Sequence, residues 1–301
     1  NSRAMRLRAG TSGFSFEGWR GTFYPADLPS GEWLRFYAER LSAVEINNTF
    51  YRMPKPAVLE AWRAQVPATF TFVLKVSRRV THQAKLKPPE AHDSMAYLWK
   101  VAAALGPQLG PVLLQSAPYQ KKDLGLLREF VAATITGAGP DALGQPRRAA
   151  FELQHPSWDD DEVDQVLVEA GCARCIADKD DGSARTPAVG AWAYLRLRRD
   201  DYSAEQLAAW LGRLRATGAT EAFVFFKHED TARGPEMAAE IDRGRAALPG
   251  SPEGDGALCA LIEEGRYDDP EAGAALRRWL QARNELSLFA WNPLFLMRVK
   301  G

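Results

Sequence analysis

The sequence predicts a closed parallel (β/α)8 barrel of the TIM type with a C-terminal extension, and three observations point there. Short β-rich runs alternate with longer helical patterns through most of the 301 residues, the signature of βα units and a parallel sheet. Eight such runs occur, with a helical pattern after all but the sixth; barrels of this kind take about 250 residues. No G-x-G-x-x-G follows the first run, which counts against a doubly wound open sheet, the competing arrangement.

Taken in order, the first strand is expected at Leu7–Thr11 and is followed by the helical stretch GEWLRFYAERL. The second, Ala43–Asn47, leads to PAVLEAWRAQV, and the third, Thr69–Lys75, to AHDSMAYLWKVAAALG. Strand four, Pro111–Gln115, precedes KKDLGLLREFVAATI; strand five, Ala149–Gln154, precedes DDDEVDQVLVEAG. The sixth strand, Ala173–Asp178, is followed by residues 179–190, which lack a helical period. Strand seven, Ala191–Arg198, leads to SAEQLAAWLGRLRATG, and strand eight, Glu221–His228, to GPEMAAEIDRGRAAL. Ser203 stands one residue before an apolar periodic face and Gly218 closes it, as an N-cap and a C-terminal glycine do. The acidic run Asp159–Glu162 complements a helix N-terminus.

The barrel is therefore expected over residues 5–248. Residues 249–301 form an extension: a Pro/Gly/Ser-rich linker, a helical pattern at Pro270–Arg283 and the apolar tail LSLFAWNPLFLMRV. That tail is broken by Asn292–Pro293 and too short to span a bilayer, so it is expected to dock on the barrel or on a second subunit. The opening NSRA reads as an expression leftover, with Met5 the native start.

Lysine plus arginine balance aspartate plus glutamate at 38 each, which gives no global attraction to nucleic acid or anionic membrane. Three cysteines are too few and too odd for a secreted disulfide framework, and no signal-peptide core follows the N-terminus. A cytoplasmic location is expected, with no membrane partner. The oligomeric state is left open. Cys172-Ala-Arg-Cys175 resembles C-x-x-C but runs into a strand, where positions three apart face opposite ways; a structural role is expected. Gly13 and Gly18 flank an aromatic loop without the lysine and hydroxyl residue of a P-loop.

Strand periodicity locates the candidate site. Along VEINNTFYRMP, Val44 and Ile46 share an apolar face, which leaves Glu45 and Asn47 pointing into the barrel. In AFELQ, Glu152 and Gln154 oppose Phe151 and Leu153; in AYLRLR, Tyr194, Arg196 and Arg198 alternate with Leu195 and Leu197. Lys75, Gln115, Asp178 and Lys227 close further strands, at the carboxyl ends where barrel enzymes build their sites. Loops add Ser12, Phe14, Asn48, Tyr51, Thr81, His82, His155, Ser157 and Trp158. The bland alternative is an internal salt-bridge layer in which Glu45, Glu152 and Asp178 neutralise Lys75, Arg196 and Arg198.

Seven segments together resemble the YecE-like family, domain of unknown function 72: GTSGFSFEGWRGTFYP, VEINNTFYRMP, FTFVLKVSRRVTH, GPVLLQSAP, FELQHPSW, YLRLRRDDYS and FVFFKHED. They fall in the family's order over roughly Leu7 to Leu248. The resemblance implies a TIM-type barrel and supplies no reaction. It also marks departures, since Gln154 stands where the family usually has arginine and Arg198 where it usually has histidine. Lys227 and His228 replace a paired-asparagine pattern, so the second half of the mouth is altered.

Three functions compete on the residues. The first is an enzyme for a small anionic, phosphorylated or sugar-like substrate. Lys75, Arg78, Arg79, Arg196, Arg198 and Lys227 would clamp the anion. Glu45 and Glu152 would be general acid and base if burial separates their pKa values. Ser12, Asn47, Asn48, Gln115, His82 and His155 would make further polar contacts, and Phe14, Trp19, Tyr51 and Trp158 an aromatic wall. The second is a divalent-metal hydrolase or isomerase, including phosphodiester cleavage, drawing on Glu45, Glu152, His155, Asp178 and His228. No local metal motif accompanies these residues, so no cofactor is assigned. The third is a non-catalytic binder of an anion or nucleic acid through the basic run Lys75–Lys87, weakened by the zero net charge.

Overall fold

Eight parallel strands close on themselves in sequence order in the computed structural model, which describes residues 5–141, 143–179, 184–227 and 231–246. The strands are β1 (Arg6–Ser12), β2 (Ala43–Ile46), β3 (Thr71–Lys75), β4 (Leu109–Gln115), β5 (Ala149–Glu152), β6 (Ala173–Asp178), β7 (Trp192–Leu197) and β8 (Glu221–Phe226). Closure runs from Arg6 opposite Glu221 to Thr11 opposite Phe226. The intervening helices are α1 (Trp33–Ala38), α2 (Pro56–Ala64), α3 (Glu90–Ala102), α4 (Leu124–Thr134), α5 (Asp161–Glu169), α6 (Ala204–Ala216) and α7 (Arg233–Ala246). Among the described residues no helix follows β6, as the missing period implied.

Residues Arg6–Asp242 make one compact unit. The linker and apolar tail expected at 249–301, and His228, lie outside the described residues. No described helix is long and apolar enough to cross a membrane.

Both faces of these strands are buried, so the apolar residues divide into two packed layers. Val112, Leu114, Phe151 and Cys172 meet Leu127, Phe130, Val163 and Leu167 between sheet and helices. Inside the barrel, Ala43, Val73, Leu113, Ala150, Cys175, Tyr194, Phe223 and Phe225 form a separate cluster. Cys172 and Cys175 thus sit on opposite sides of the sheet, and no metal or redox pair forms between them. Small residues let strands approach: a Cβ on Gly10 would stand 1.8 Å from the Ala43 carbonyl oxygen. The Tyr37 hydroxyl of α1 reaches the same junction, accepting from the Thr11 amide at 2.8 Å and donating to the Ala43 carbonyl at 2.9 Å.

Helix ends follow their sequence signals. Ser203 caps α6 in a reciprocal box with Gln206, and Gly218 turns the chain out with φ of +71°. Asp160 caps α5 by accepting from the Glu162 amide. At the amino-terminal end of the strands, Glu221 accepts from Arg8 at 3.2 Å and Arg148 at 2.7 Å. Conservative stability roles suit that end of a barrel; chemistry belongs at the other.

Candidate functional site

Period-two alternation places Glu45, Lys75, Gln115, Glu152 and Arg196 inside the barrel, directly above the apolar cluster at the carboxyl ends of β2, β3, β4, β5 and β7. They form one hydrogen-bonded chain. Lys75 Nζ donates to Gln115 Oε1 at 2.7 Å, and Gln115 Nε2 donates to Glu152 Oε1 at 3.1 Å. Arg196 then spans the barrel, donating through Nη1 to Glu152 Oε2 at 2.7 Å and through Nη2 to Glu45 Oε1 at 2.8 Å. Ser12 Oγ donates to the same Glu45 oxygen at 2.7 Å and accepts from Arg198 Nη1 at 3.1 Å. Tyr194 donates its hydroxyl to Glu45 Oε2 at 2.6 Å.

The electrostatics follow from this chain. Burial alone would raise both glutamates, but the Arg196 guanidinium and the bonds from Tyr194, Ser12 and Gln115 hold both below the ordinary carboxylate range. The acid and base roles are conditional on burial separating the pKa values of Glu45 and Glu152; in the structure the shared guanidinium lowers both. Tyr194, buried beside the Glu45 charge, is pushed well up and stays a proton donor in that bond. Lys75 is lowered by burial first and then by Arg196, against the opposing pull of Glu45 and Glu152. Arg198 is lowered by burial and by Arg196.

Three cations thus face two carboxylates, and Arg196 takes both. Among the described residues, neither Lys75 nor Arg198 makes an ion pair. Arg196 Nε and Asn47 Oδ1 are buried without a hydrogen-bond partner among the described residues. Such groups cost free energy unless something meets them.

Other expected site residues divide between rim and framework. Phe50, which the sequence pattern did not single out, lies with its ring centroid 4.3 Å from Lys75 Nζ and 5.2 Å from the His82 ring. His82 belongs to a single π-helical turn, Arg79–Gln83, and bonds Thr81 Oγ1 through Nδ1 at 2.9 Å. Burial, Lys75 and Arg78 lower its pKa. Asn48 and Tyr51 stand exposed at the rim, Tyr51 at 73%. Phe14 is half-buried against Tyr37 and Trp62. Lys227 is exposed just after β8.

The aromatic wall is only partly assembled. Trp158 is 1% exposed, packed in the sheet–helix layer, and its indole N–H donates to the Gln120 carbonyl at 2.7 Å. Trp19 is fully buried among Phe16, Phe23 and Tyr24 of its own loop. Both are framework because their rings are enclosed by neighbours on every side. His155 turns back to cap the Pro156–Trp158 turn, with Nδ1 accepting from the Ser157 amide at 3.1 Å. Asp178 accepts from Arg199 at 3.1 Å and from the Tyr202 hydroxyl at 2.9 Å, not from Lys75, Arg196 or Arg198. Gln154 donates to the Ser116 carbonyl. The metal-ligand set Glu45, Glu152, His155 and Asp178 is accordingly not gathered, and no three His, Cys, Asp or Glu among the described residues could hold a metal ion together.

A closed ring of eight parallel strands with a charged tier at their carboxyl ends defines a TIM-type barrel. Within that class the chain belongs to the DUF72 family, described as a protein of unknown function, which it matches over residues 8–252. It is 28% identical over 151 residues to the UPF0759 protein YecE of Escherichia coli K12, an alignment covering 48% of this chain and 52% of that protein. The chain thus spans about half the length of the curated relatives it matches. Among solved structures, a DUF72 family protein from Thermotoga maritima superposes with a TM-score of 0.63 at 23% identity, covering 79% of this chain and 98% of that one. A DUF72 family protein from Enterococcus faecalis V583 gives 0.56 at 18%, covering 80% and 98%. These likenesses carry the fold.

Proposed function

We propose that the barrel mouth binds and transforms a small anionic substrate bearing hydroxyl groups. The observation that carries this reading is the unequal charge of the mouth: Arg196 consumes both carboxylates, and Lys75 and Arg198 remain without an ion-pair partner among the described residues. Among the described residues the Arg198 side chain bonds the Ser12 hydroxyl alone, which leaves the rest of its planar fork for a carboxylate or phosphate. Lys75 spends one of three donors on Gln115. The orphaned Asn47 Oδ1 asks for a donor, which a substrate hydroxyl supplies. In this reading Glu45 is a positioning group, because its oxygens already accept from Ser12, Arg196 and Tyr194. Glu152, with two bonds, is the carboxylate left to accept a proton.

The test is stabilisation by ligand. Inorganic phosphate and a panel of sugar phosphates and hydroxy acids are scored by the shift of the thermal unfolding midpoint. A ligand at about one hundred times its Kd adds about 2.7 kcal/mol. Arg198→Gln should abolish the shift while leaving the ligand-free midpoint close to wild type. Equal shifts in wild type and variant, or none with any anion, would overturn the reading.

A further inference from the structure

We infer that Lys75 is a nucleophile that captures the carbonyl group of an anionic aldehyde or ketone as an imine, with Arg198 holding the substrate's carboxylate or phosphate. This deepens the anion-binding reading and rests on it.

The argument begins with what surrounds Nζ. It lies at the carboxyl end of β3, inside the barrel, where a substrate entering the mouth would arrive. Its one side-chain hydrogen bond among the described residues goes to a neutral amide oxygen, Gln115 Oε1, a partner that a neutral amine keeps as readily as an ammonium. A lysine built to be a permanent cation is normally matched to a carboxylate when buried. Here Glu45, on the neighbouring strand β2, and Glu152, on β5, are both bonded to Arg196. The charged groups acting on Nζ are Arg196 and Arg198, which disfavour its proton, and Glu45 and Glu152, which favour it. The Phe50 ring at 4.3 Å also favours the cation, whereas burial, the largest influence, opposes it. The balance falls below an ordinary lysine, the condition under which an amine attacks carbonyl carbon.

The step balances. The ammonium of Lys75 first gives one proton to solvent, and the free electron pair on Nζ forms a bond to the carbonyl carbon. The attacking nitrogen, now positively charged, gives up a proton as the carbonyl oxygen takes one up, leaving a neutral carbinolamine with a hydroxyl group. A second proton lets that oxygen leave as water while nitrogen's lone pair forms the C=N bond. Ammonium plus carbonyl has become protonated imine plus one water, with no change in oxidation state. Arg196 and Arg198 are fixed guanidiniums and exchange no proton in the sequence.

The experiment is reductive trapping on the full chain. Wild-type protein is incubated with glyoxylate, a small aldehyde that carries a carboxylate, in the presence of cyanoborohydride, and adducts are mapped by peptide mass spectrometry. The expected result is one carboxymethyl group on Lys75, formed about tenfold or more faster than on the surface lysines Lys85, Lys87 and Lys121. Lys75→Arg keeps the cation and should lose the rapid adduct. Label spread over surface lysines with Lys75 unmodified would overturn the imine, and because it is read in wild type it does not depend on any variant folding. Propionaldehyde, which lacks the anionic group, separates the two readings. If it labels Lys75 as fast as glyoxylate and Arg198→Gln changes neither rate, the anion site fails while the imine stands. If phosphate still stabilises the protein but no Lys75 adduct forms, the imine fails while the anion site stands.

Discussion

Replacing Arg196 with methionine removes the one group that serves both buried carboxylates. The guanidinium is 2% exposed, and the Glu45 and Glu152 side chains are 0% and 8% exposed. Truncating one partner of a buried pair typically costs about 3–5 kcal/mol, because a charge is left without compensation. Two carboxylates are stranded here, but each can escape by taking a proton. At neutral pH that protonation costs about 3–4 kcal/mol for a group with an ordinary carboxylate pKa. Protonating one or both gives an expected loss of about 3–8 kcal/mol at pH 7, a large share of a domain's usual stability of about 5–15 kcal/mol.

The sign of the pH dependence is the sharper test. In wild type the folded pKa values of Glu45 and Glu152 are lowered, so their contribution is present above the ordinary carboxylate range and is lost as pH falls through the folded values. Between pH 5 and 8 these two groups leave wild-type stability flat. In Arg196→Met burial loses its strongest opponent, although Arg198 and the bonds from Tyr194, Ser12 and Gln115 remain. Both carboxylates should rise, so that the native state binds more protons than the unfolded one. The variant then loses stability as pH rises, by about 1.4 kcal/mol per pH unit for each carboxylate that stays protonated. Urea unfolding of both proteins at pH 5, 6 and 7 measures the difference. The triple variant Arg196→Met, Glu45→Gln, Glu152→Gln should recover more than half of the loss at pH 7 and show no slope. A difference under about 1 kcal/mol at pH 7, or one independent of pH, would mean that the carboxylates have other partners or water, and the charge reasoning for the mouth would be wrong.

Two further outcomes follow from groups away from the chain of charges. Tyr37→Phe strands the Thr11 amide and the Ala43 carbonyl at the β1–β2 junction, so the urea midpoint should drop by about 1–3 kcal/mol with an unchanged m-value; an unchanged midpoint would mean water replaces the hydroxyl. Burial pushes the Cys172 thiol up to about 12 and Cys175 well above its ordinary value. In a Cys259→Ser background, iodoacetamide at neutral pH should therefore leave the native protein unlabelled and label both cysteines in urea. Labelling of the native form at the rate of a free thiol would contradict that burial.

The barrel was legible in the sequence because strands buried on both faces write two signals at once. Length and flanking breakers mark the strand, and alternation marks which residue faces the helices. Val44 against Glu45, or Leu195 against Arg196, is such a pair, and the closed sheet places both as the period required. The strand ends were placed within two residues, with Asn47, Gln154 and Arg198 falling just past the last paired residue. The aromatic loop was not legible in the same way. Trp19 and Trp158 look like ligand-facing side chains in a list of loop residues, and only the third dimension shows that neighbours enclose them.

The pairing of charges was legible in kind and not in detail, for a physical reason. Alternation says that Glu45, Lys75, Glu152 and Arg196 all point inward, but not which of them meet, because that depends on strand tilt and on heights set by closure of the ring. Arg196 is the longest of these side chains and stands on β7, from which it reaches Glu152 on β5 and Glu45 on β2 across the interior. Lys75, on β3 beside Glu45, is left with Gln115 instead. A salt-bridge layer and a functional site are therefore not alternatives in this mouth. The layer is what Arg196 makes with the two glutamates, and the site we propose is what that pairing leaves over: a lysine and an arginine at the two ends of the chain, to which an entering anion would bind.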